Sequence, residues 1–523
     1  MDNTDVTSRI CALETDRLSR LAVRAVRYRT CPAGCGESGA VTREKVVEMV
    51  VLEEKRSVDS QTGEALPPAT LAEQAGSWVA GLRYEDIPSP VTERAKALAL
   101  DCFGLALVAA DTPVPVTGRR ALEAMGGVAG GPSTVLATGE RLTARDAAFL
   151  NGLAVGGLDW DDTHLEGAFH VSAGAFPAVL AVAEAQGCSG REFLLAYIVA
   201  LEVACRAAAA PRDGIHQAGF APTGVAPPFG CAAATALLLG GGDSEIAHAQ
   251  GIAGSTAAGL LEFLADGAWT KNIHGAWSAH GGVSAGYLAM AGFSGPLSVY
   301  EGEFGLYETH LRDPAGELDP AYFGTLGTKW ETLETAAKQY PVCHFSQAFL
   351  KGWFKLSERH GIGSGNIRSI TCRAPDGVIP TICEPRGRRD APLNPHDAQE
   401  SLPYVLAAAI LSGEITERQL TDEMVRDPEV LSLARSIRYE RYPESLFPDS
   451  YDGEIVIETT DGRTYRSTDE AGRMEVEEIE AKFLANAERA VGRCRGAAIH
   501  EAVMSLEDAQ SLDGLIGLVS VTG

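Results

Sequence analysis

Ala148-Phe149-Leu150-Asn151-Gly152-Leu153-Ala154-Val155-Gly156-Gly157-Leu158 runs directly into Asp159-Trp160-Asp161-Asp162-Thr163-His164. Glu166, His170 and Ser172-Ala173 follow, and the chain turns apolar again at Ala175-Phe176-Pro177-Ala178-Val179-Leu180. The flanks are small and apolar with helical periodicity, predicting core helices over Ala144–Gly156 and Ala173–Gln186. Carboxylates, imidazoles and hydroxyls therefore crowd a short link between two buried elements. Such a link reads as a catalytic segment held by a core. A solvated loop with helix caps is the simpler reading, but solvated loops seldom combine a Trp and two His with no Lys or Arg.

Working outward, helices are expected over Thr70–Leu82, Val91–Ala109, Gly190–Ala210, Pro227–Leu239, Ser244–Leu264 and Gly275–Gly292, with Ser189 as an N-cap. Past Gly305 the texture changes. Leu333–Tyr340 and Ile367–Ala374 read as strands, and Ser346–His360 and Asp397–Leu411 as helices. Asp461-Gly462 between Glu454–Thr460 and Arg463–Ser467 signals a hairpin, and acidic helices close the chain at Glu475–Val491 and Arg495–Leu515. The fold class is thus mainly α with an α+β lid: a large all-helical domain made of two chain segments plus a smaller α+β domain. The boundaries read as 1–67, an extension of unknown role; 68–304, the first helical segment; 305–470, the lid; and 471–523, the helical return.

The chain has 523 residues, more than one hydrophobic core usually supports. Its net charge of −26 excludes a nucleic-acid partner, because phosphate binding needs a basic face. An anionic substrate would need a local positive island. Glycine, 57 residues, clusters with alanine in Gly230–Ala236 and Gly251–Gly259, which suits close helix packing. The 11 cysteines lack a regular spacing, and Cys31 and Cys35 have no partner ligands at zinc spacing, so neither a disulfide framework nor a metal site is expected. No secretory signal and no membrane span is read, and the protein is taken as cytoplasmic.

These motifs together resemble the MmgE/PrpD family. The resemblance rests on Asn151-Gly152, Leu158–His164 and His170-x-Ser172-Ala173; on Glu202-Val203-x-x-Arg206; and on Gly219-Phe220-x-x-Thr223-Gly224 running into Pro228–Ala234. It continues through Gly267–Thr270 with Lys271-x-x-His274-Gly275, Gly292–Pro296, Glu301-Gly302-x-x-Gly305, Tyr340-Pro341-x-Cys343-His344 and Glu478–Phe483. The resemblance spans about residues 70 to 485 and implies a homodimer with a small-molecule carboxylate as substrate and no metal or organic cofactor. Two positions depart from it: Val171, where many members have Pro, and Ala221, where many carry His after an aromatic residue.

On that footing the catalytic candidates are Asp159, His170, Lys271 and His274. His170 is the general acid/base, Asp159 its orienter or a second base, and Lys271 a carboxylate clamp sharing a helix side with His274. The substrate-binding candidates are Thr163, His164, Arg206, Tyr340 and His344, the last two completing the pocket from the lid. Arg206 also has Glu202 one turn back as a structural partner, and His164 a role in holding the loop. Three neighbouring aspartates repel, so at least one should keep a raised pKa if buried. The expected reaction is dehydration of 2-methylcitrate or a close analogue. Decarboxylation of cis-aconitate type and epimerisation or racemisation of a dicarboxylate are alternatives on the same scaffold. A metal-dependent hydrolase built on the Asp/His cluster is the alternative of another class.

Overall fold

A computed structural model describes residues 68–127, 130–212, 214–313 and 318–520; the 1–67 extension, with Cys31 and Cys35, lies outside them. Eight helices carry most of the first buried core: α1 (Leu71–Gly81), α2 (Ser89–Ala109), α3 (Ala144–Gly156), α4 (Ser172–Gln186), α5 (Gly190–Ala209), α6 (Pro227–Leu238), α7 (Asp243–Ala253) and α8 (Thr270–Met290). Several are apolar on every side, as helices enclosed by other helices must be. Phe103, Phe176, Phe193 and Tyr197 form an aromatic centre, packed edge to face except for the stacked Phe193–Tyr197 pair, with Phe103 and Phe176 centroids 4.8 Å apart. Ser189 caps α5 as its sequence predicts. Its hydroxyl accepts from the Glu192 N–H at 3.3 Å, and the Glu192 carboxylate accepts from the Ser189 N–H at 2.7 Å.

Two corrections concern helix limits. The helix expected over Ser244–Leu264 stops at Ala253, where Gly254-Ser255-Thr256 breaks it, and only a short turn (Phe263–Asp266) follows. α8 begins at Thr270 rather than Gly275, which puts Lys271 and His274 on its first turns.

Small residues decide how closely these helices approach. A Cβ on Gly152 of α3 would lie 2.6 Å from the Ala276 Cα of α8. One on Gly230 of α6 would lie 2.1 Å from the Ala200 carbonyl oxygen of α5. No other residue fits either position.

A two-residue ladder of β1 (Thr163–His164) and β2 (Thr335–Ala336) pairs antiparallel, with Thr163 opposite Ala336. The long strand expected over Leu333–Tyr340 is thereby corrected to Thr335–Ala336, preceded by a 3-10 turn over Glu331–Glu334. A second buried core draws on residues 342–457. It holds α9 (Gln347–His360) and α10 (Leu402–Ser412) against a four-stranded sheet of β3 (Ile367–Ala374), β4 (Arg438–Arg441), β5 (Asp452–Thr459) and β6 (Thr464–Glu470). The strand order is β4-β3-β5-β6, parallel between β3 and β4 and antiparallel elsewhere. Ile370, Cys372, Ile455 and Ile457 face this core, with Ile370 opposite Ile457 and Cys372 opposite Ile455. The helix expected over Asp397–Leu411 is split into Pro395–Gln399 and α10, with Glu400-Ser401 between them. α11 (Val476–Val491) and α12 (Arg493–Met504) return to the first core through Phe483, Ala487, Ile499 and Val503. The chain is mainly helical with a smaller α+β part. No single helix among the described residues is long and apolar enough to cross a membrane.

Gly230→Ala tests the close approach. Overpacking against a backbone carbonyl costs about 1–3 kcal/mol and exceeds the gain of about 1 kcal/mol in helix propensity. The expected result is a lower denaturation midpoint in urea with an unchanged slope; a stabilised variant overturns the packing argument.

Candidate active site

Asp159 sets the geometry. α3 ends at Gly156, and Asp159 adopts φ 51°, a left-handed conformation that Asp tolerates better than most side chains. This turn aims its carboxylate into the protein, where two ammonium groups meet it. Lys338 Nζ lies 2.6 Å from Oδ1 and also donates to the Asp159 carbonyl at 2.8 Å. Lys271 Nζ lies 2.8 Å from Oδ2. Lys338 arrives because the β1–β2 ladder pins the following residues beside the loop. Lys271 arrives on the first turn of α8, which Asn272 ties to α3 by donating to the Gly156 carbonyl at 3.0 Å. Lys271 also donates to Glu400, and Gln399 next to it donates to the Leu158 carbonyl at 2.7 Å.

Burial alone would raise the Asp159 carboxyl; the ammoniums of Lys271 and Lys338 outweigh it and hold the group well below the usual carboxylate range. Burial would lower Lys271, but Asp159 and Glu400 push its ammonium upward, so it stays charged. Burial would also raise Glu400, and Lys271 draws it down instead. The other two aspartates behave oppositely. Burial pushes Asp161 up to about 7, its neighbouring carboxylates adding to the shift, and burial pushes Asp162 up to about 6 against its hydrogen bonds from Ser172. The Asp162 carboxylate takes the Ser172 N–H at 3.0 Å as well as its hydroxyl, so it caps α4.

His170 sits above this cluster, its Nε2 3.6 Å from Asp159 and its Nδ1 3.8 Å from Asp161. Nδ1 lies 3.0 Å from the Asp162 carbonyl, which can only accept, so Nδ1 carries the proton and Nε2 is the basic atom. Burial first, then the ammoniums of Lys338 and Lys271, push its pKa well below the usual value. His344 donates from Nε2 to the Ala471 carbonyl at 3.1 Å, and its Nδ1 accepts from the Thr163 hydroxyl at 3.1 Å. Burial lowers both His274 and His344 to about 4.

Thr163, His170, Lys271, His274 and His344 all line one cavity of about 90 Å³, room for roughly half a dozen waters and the scale of a small organic acid. The remaining lining is largely apolar: Ala221, Pro222, Leu261, Phe263, Leu264 and Phe345. Asp159 forms the adjoining recess with Asp161 and Asn272. The departure at Ala221 therefore lies in the cavity wall, while Val171 is buried in the first core.

Three expected binding residues lie elsewhere, and their assignment is corrected. Arg206 is fully buried on Glu202, whose carboxylate also takes the Glu331 and Thr332 N–H groups at 3.1 and 2.8 Å. Its guanidinium is consumed by that structural pair and by the Lys329 carbonyl at 2.7 Å. His164 donates from Nε2 to Glu331 at 3.0 Å and accepts the Gly167 N–H at Nδ1, so it braces the loop. The Tyr340 ring packs on Phe354, centroids 5.4 Å apart, outside the lining. Sequence reasoning missed Lys338 and Glu400. Lys338 is followed by Gln339 and Tyr340, and Glu400 sits in the polar stretch His396-Asp397-Ala398-Gln399-Glu400-Ser401, so neither is marked by its neighbours in sequence. Cys343 lines the cavity, but burial pushes its thiol well above the usual value, which removes it as a nucleophile.

Asp159, Asp161 and His170 offer ligand atoms within 4.8 Å of one another. The donor set does not fit a divalent cation, because two ammoniums already occupy the Asp159 oxygens. What the arrangement can do is hold an anion at Lys271 and move a proton at His170 Nε2.

Two family profiles match the chain. The MmgE/PrpD N-terminal domain profile matches residues 73–318, and the MmgE/PrpD C-terminal domain profile matches residues 340–508. A cis-aconitate decarboxylase-like protein of Aspergillus oryzae is 26% identical over 490 residues, covering 87% of this chain and 98% of that protein. The cis-aconitate decarboxylase of Mus musculus is 27% identical, covering 86% of this chain and 93% of its own length. That of Aspergillus terreus is 27% identical, with 85% and 94% covered.

Asp161 carries a pH signature. The native chain holds its proton up to about pH 7, whereas the unfolded chain releases it near the ordinary value of 3.8. Native protein thus binds more protons in that window, and this group's contribution falls as pH rises through it. His274 and His344 act with the opposite sign between about pH 4 and 6.5, since the unfolded chain binds their protons first. Asp161→Asn removes only the first effect. Urea denaturation of both proteins should show the variant gaining stability relative to the parent from pH 4 to pH 8; a constant difference means that Asp161 is ionised throughout.

Proposed function

Because the chain belongs to the MmgE/PrpD family, we propose that it is a lyase that decarboxylates a cis-aconitate-like unsaturated tricarboxylate. The observation that carries this reading is the cavity's lining: a single ammonium, Lys271, paired with Glu400 and set among histidines and largely apolar side chains. Lys271 holds one carboxylate. A second carboxylate placed against the apolar surface loses hydration, and loss of carbon dioxide relieves that cost. His274, in the lining one helical turn from Lys271, supplies a ring N–H that orients the acid, and the Thr163–His344 hydrogen bond fixes the facing wall. The names of the similar proteins support the same reaction.

Dehydration of 2-methylcitrate, the first expectation from sequence, stands as the second reading. It is favoured by His170, whose basic Nε2 is ready to remove a proton. Proton NMR in deuterated water separates the two. Cis-aconitate should give carbon dioxide and a methylene-bearing dicarboxylate; conversion of 2-methylcitrate with none of cis-aconitate reverses the order. Lys271→Met should lower kcat/KM by about 10²–10³-fold, and His170→Gln, which loses a group that orients the substrate, should lower kcat by about 10²-fold. Full activity in either variant removes that residue from the reaction.

A homodimer fits this reading. Trp269 at the N-cap of α8 and Ile273 and Trp277 within it are spaced four apart, Leu288 lies three turns further on, and all stay exposed, Trp277 to 49%. A stripe of that kind needs cover, and its helix also carries Lys271 and His274. Light scattering should give a dimer mass for the parent and a monomer for the Ile273→Glu, Trp277→Glu double variant; an unchanged mass assigns the interface to another face.

A further inference from the structure

Charge counting around the cavity exposes an imbalance. Lys271 and Lys338 bring two positive charges to this region, and Asp159 and Glu400 bring two negative ones. Lys271 is the only ammonium or guanidinium among the described lining residues, and two carboxylates already hold it. Of the four histidines that line the cavity with it, His170, His274 and His344 are kept neutral by burial and by the nearby ammoniums, and the fourth is His216. A polycarboxylate therefore enters a pocket whose one ammonium is already matched by carboxylates. Worse, Glu400 is the one carboxylate among the described lining residues, and its side chain is 5% exposed. Two carboxylates in one dehydrated space do not both stay ionised.

Asp159 is poorly placed to yield. It is buried between two ammoniums, and its own carbonyl is bonded to Lys338. Glu400 has a single ammonium partner, and it opens on the cavity. The groups that face it are Lys271 from α8, Asp159 from the loop after α3, Cys343 ahead of α9 and His396 from its own segment. An arriving substrate carboxylate competes with Glu400 for Lys271 and repels it as well.

We propose that Glu400 takes up a proton when a polycarboxylate enters the cavity and delivers that proton to the substrate carbon, serving as the general acid of the reaction. The step rests on the decarboxylation reading and balances as follows. Solvent supplies one proton to a Glu400 oxygen as the substrate displaces it from Lys271. The bond from carbon to the leaving carboxylate breaks, and its electron pair shifts through the adjacent double bond to the far alkene carbon. That carbon takes the Glu400 proton, and carbon dioxide departs. Glu400 returns as a carboxylate beside Lys271, where its charge helps to expel the dicarboxylate product. His170 then orients the substrate and need not cycle its own proton.

The test uses the full chain and propane-1,2,3-tricarboxylate, a saturated acid that lacks the double bond the reaction requires. Calorimetric titration at neutral pH in buffers of different ionisation enthalpy counts protons taken up on binding. The parent should take up close to one. Glu400→Gln, a neutral mimic of the protonated acid, should bind at least as tightly with that uptake abolished, while its kcat on cis-aconitate falls about 10²–10⁴-fold. Glu400→Asp keeps a carboxylate and should keep both the uptake and part of the rate. Equal uptake in the parent and Glu400→Gln overturns the proposal and moves the proton to a histidine or Asp161. An undiminished kcat in Glu400→Gln overturns it as well. No binding of the tricarboxylate to the parent overturns the substrate reading itself, and this proposal with it.

Discussion

A buried carboxylate held between two ammoniums organises the site. Asp159 takes Lys338 on one oxygen and Lys271 on the other, and these three residues come from three distant parts of the chain. Removing charges from water is expensive, and attraction returns that cost only when geometry is good and remaining valences are filled. The surrounding backbone meets this demand. The Asp159 carbonyl takes Lys338, the Trp160 carbonyl takes Lys482 at 2.9 Å, and the Leu158 carbonyl takes Gln399. The loop thus has little freedom, and neither has Lys271. A clamp that must meet a substrate carboxylate in one orientation is built before the substrate arrives.

The same cluster explains how a chain of net charge −26 can hold an anion. It builds no broad basic surface. It seats one ammonium, paired with Asp159 and Glu400, in a largely apolar cavity, where charges interact more strongly than they would in water. The neighbouring aspartates oppose this less than their number suggests, because burial pushes Asp161 up to about 7 and Asp162 up to about 6. Three adjacent acids therefore have different tasks. Asp159 is an ionised anchor, Asp161 a group that titrates near neutrality, and Asp162 the cap of α4.

Much of this was legible beforehand. The acidic loop, its two flanking helices, the Ile367–Ala374 strand and the hairpin about Asp461-Gly462 follow from local pattern, because side-chain period and turn chemistry are local properties. The misjudged elements depend on contacts. Leu333–Tyr340 has strand composition, yet only Thr335 and Ala336 find a partner ladder, because Thr163 and His164 offer just two residues to pair with. Ser244–Leu264 has the pattern of a continuous helix because Gly254 sits in an otherwise periodic run; the helix ends there with Gly254 as its C-cap, and the Thr256 hydroxyl donates to the Ala253 carbonyl at 3.0 Å. Arg206 and Tyr340 looked like binding residues because their types suit an acid, and tertiary partners claim both.

The sequence by itself therefore determined which residues are chemically capable and which segments are buried, since both are properties of residue type and spacing. Tertiary structure alone decided which of those residues meet. Lys338 and Glu400 lie far along the chain from Asp159 and Lys271, and no local period brings them together. The β1–β2 ladder, the glycine contacts of α3 and α8, and the break at Glu400-Ser401 do so. The physical reason is that charge pairing inside a protein acts through distance and burial, and both exist only after the chain has packed.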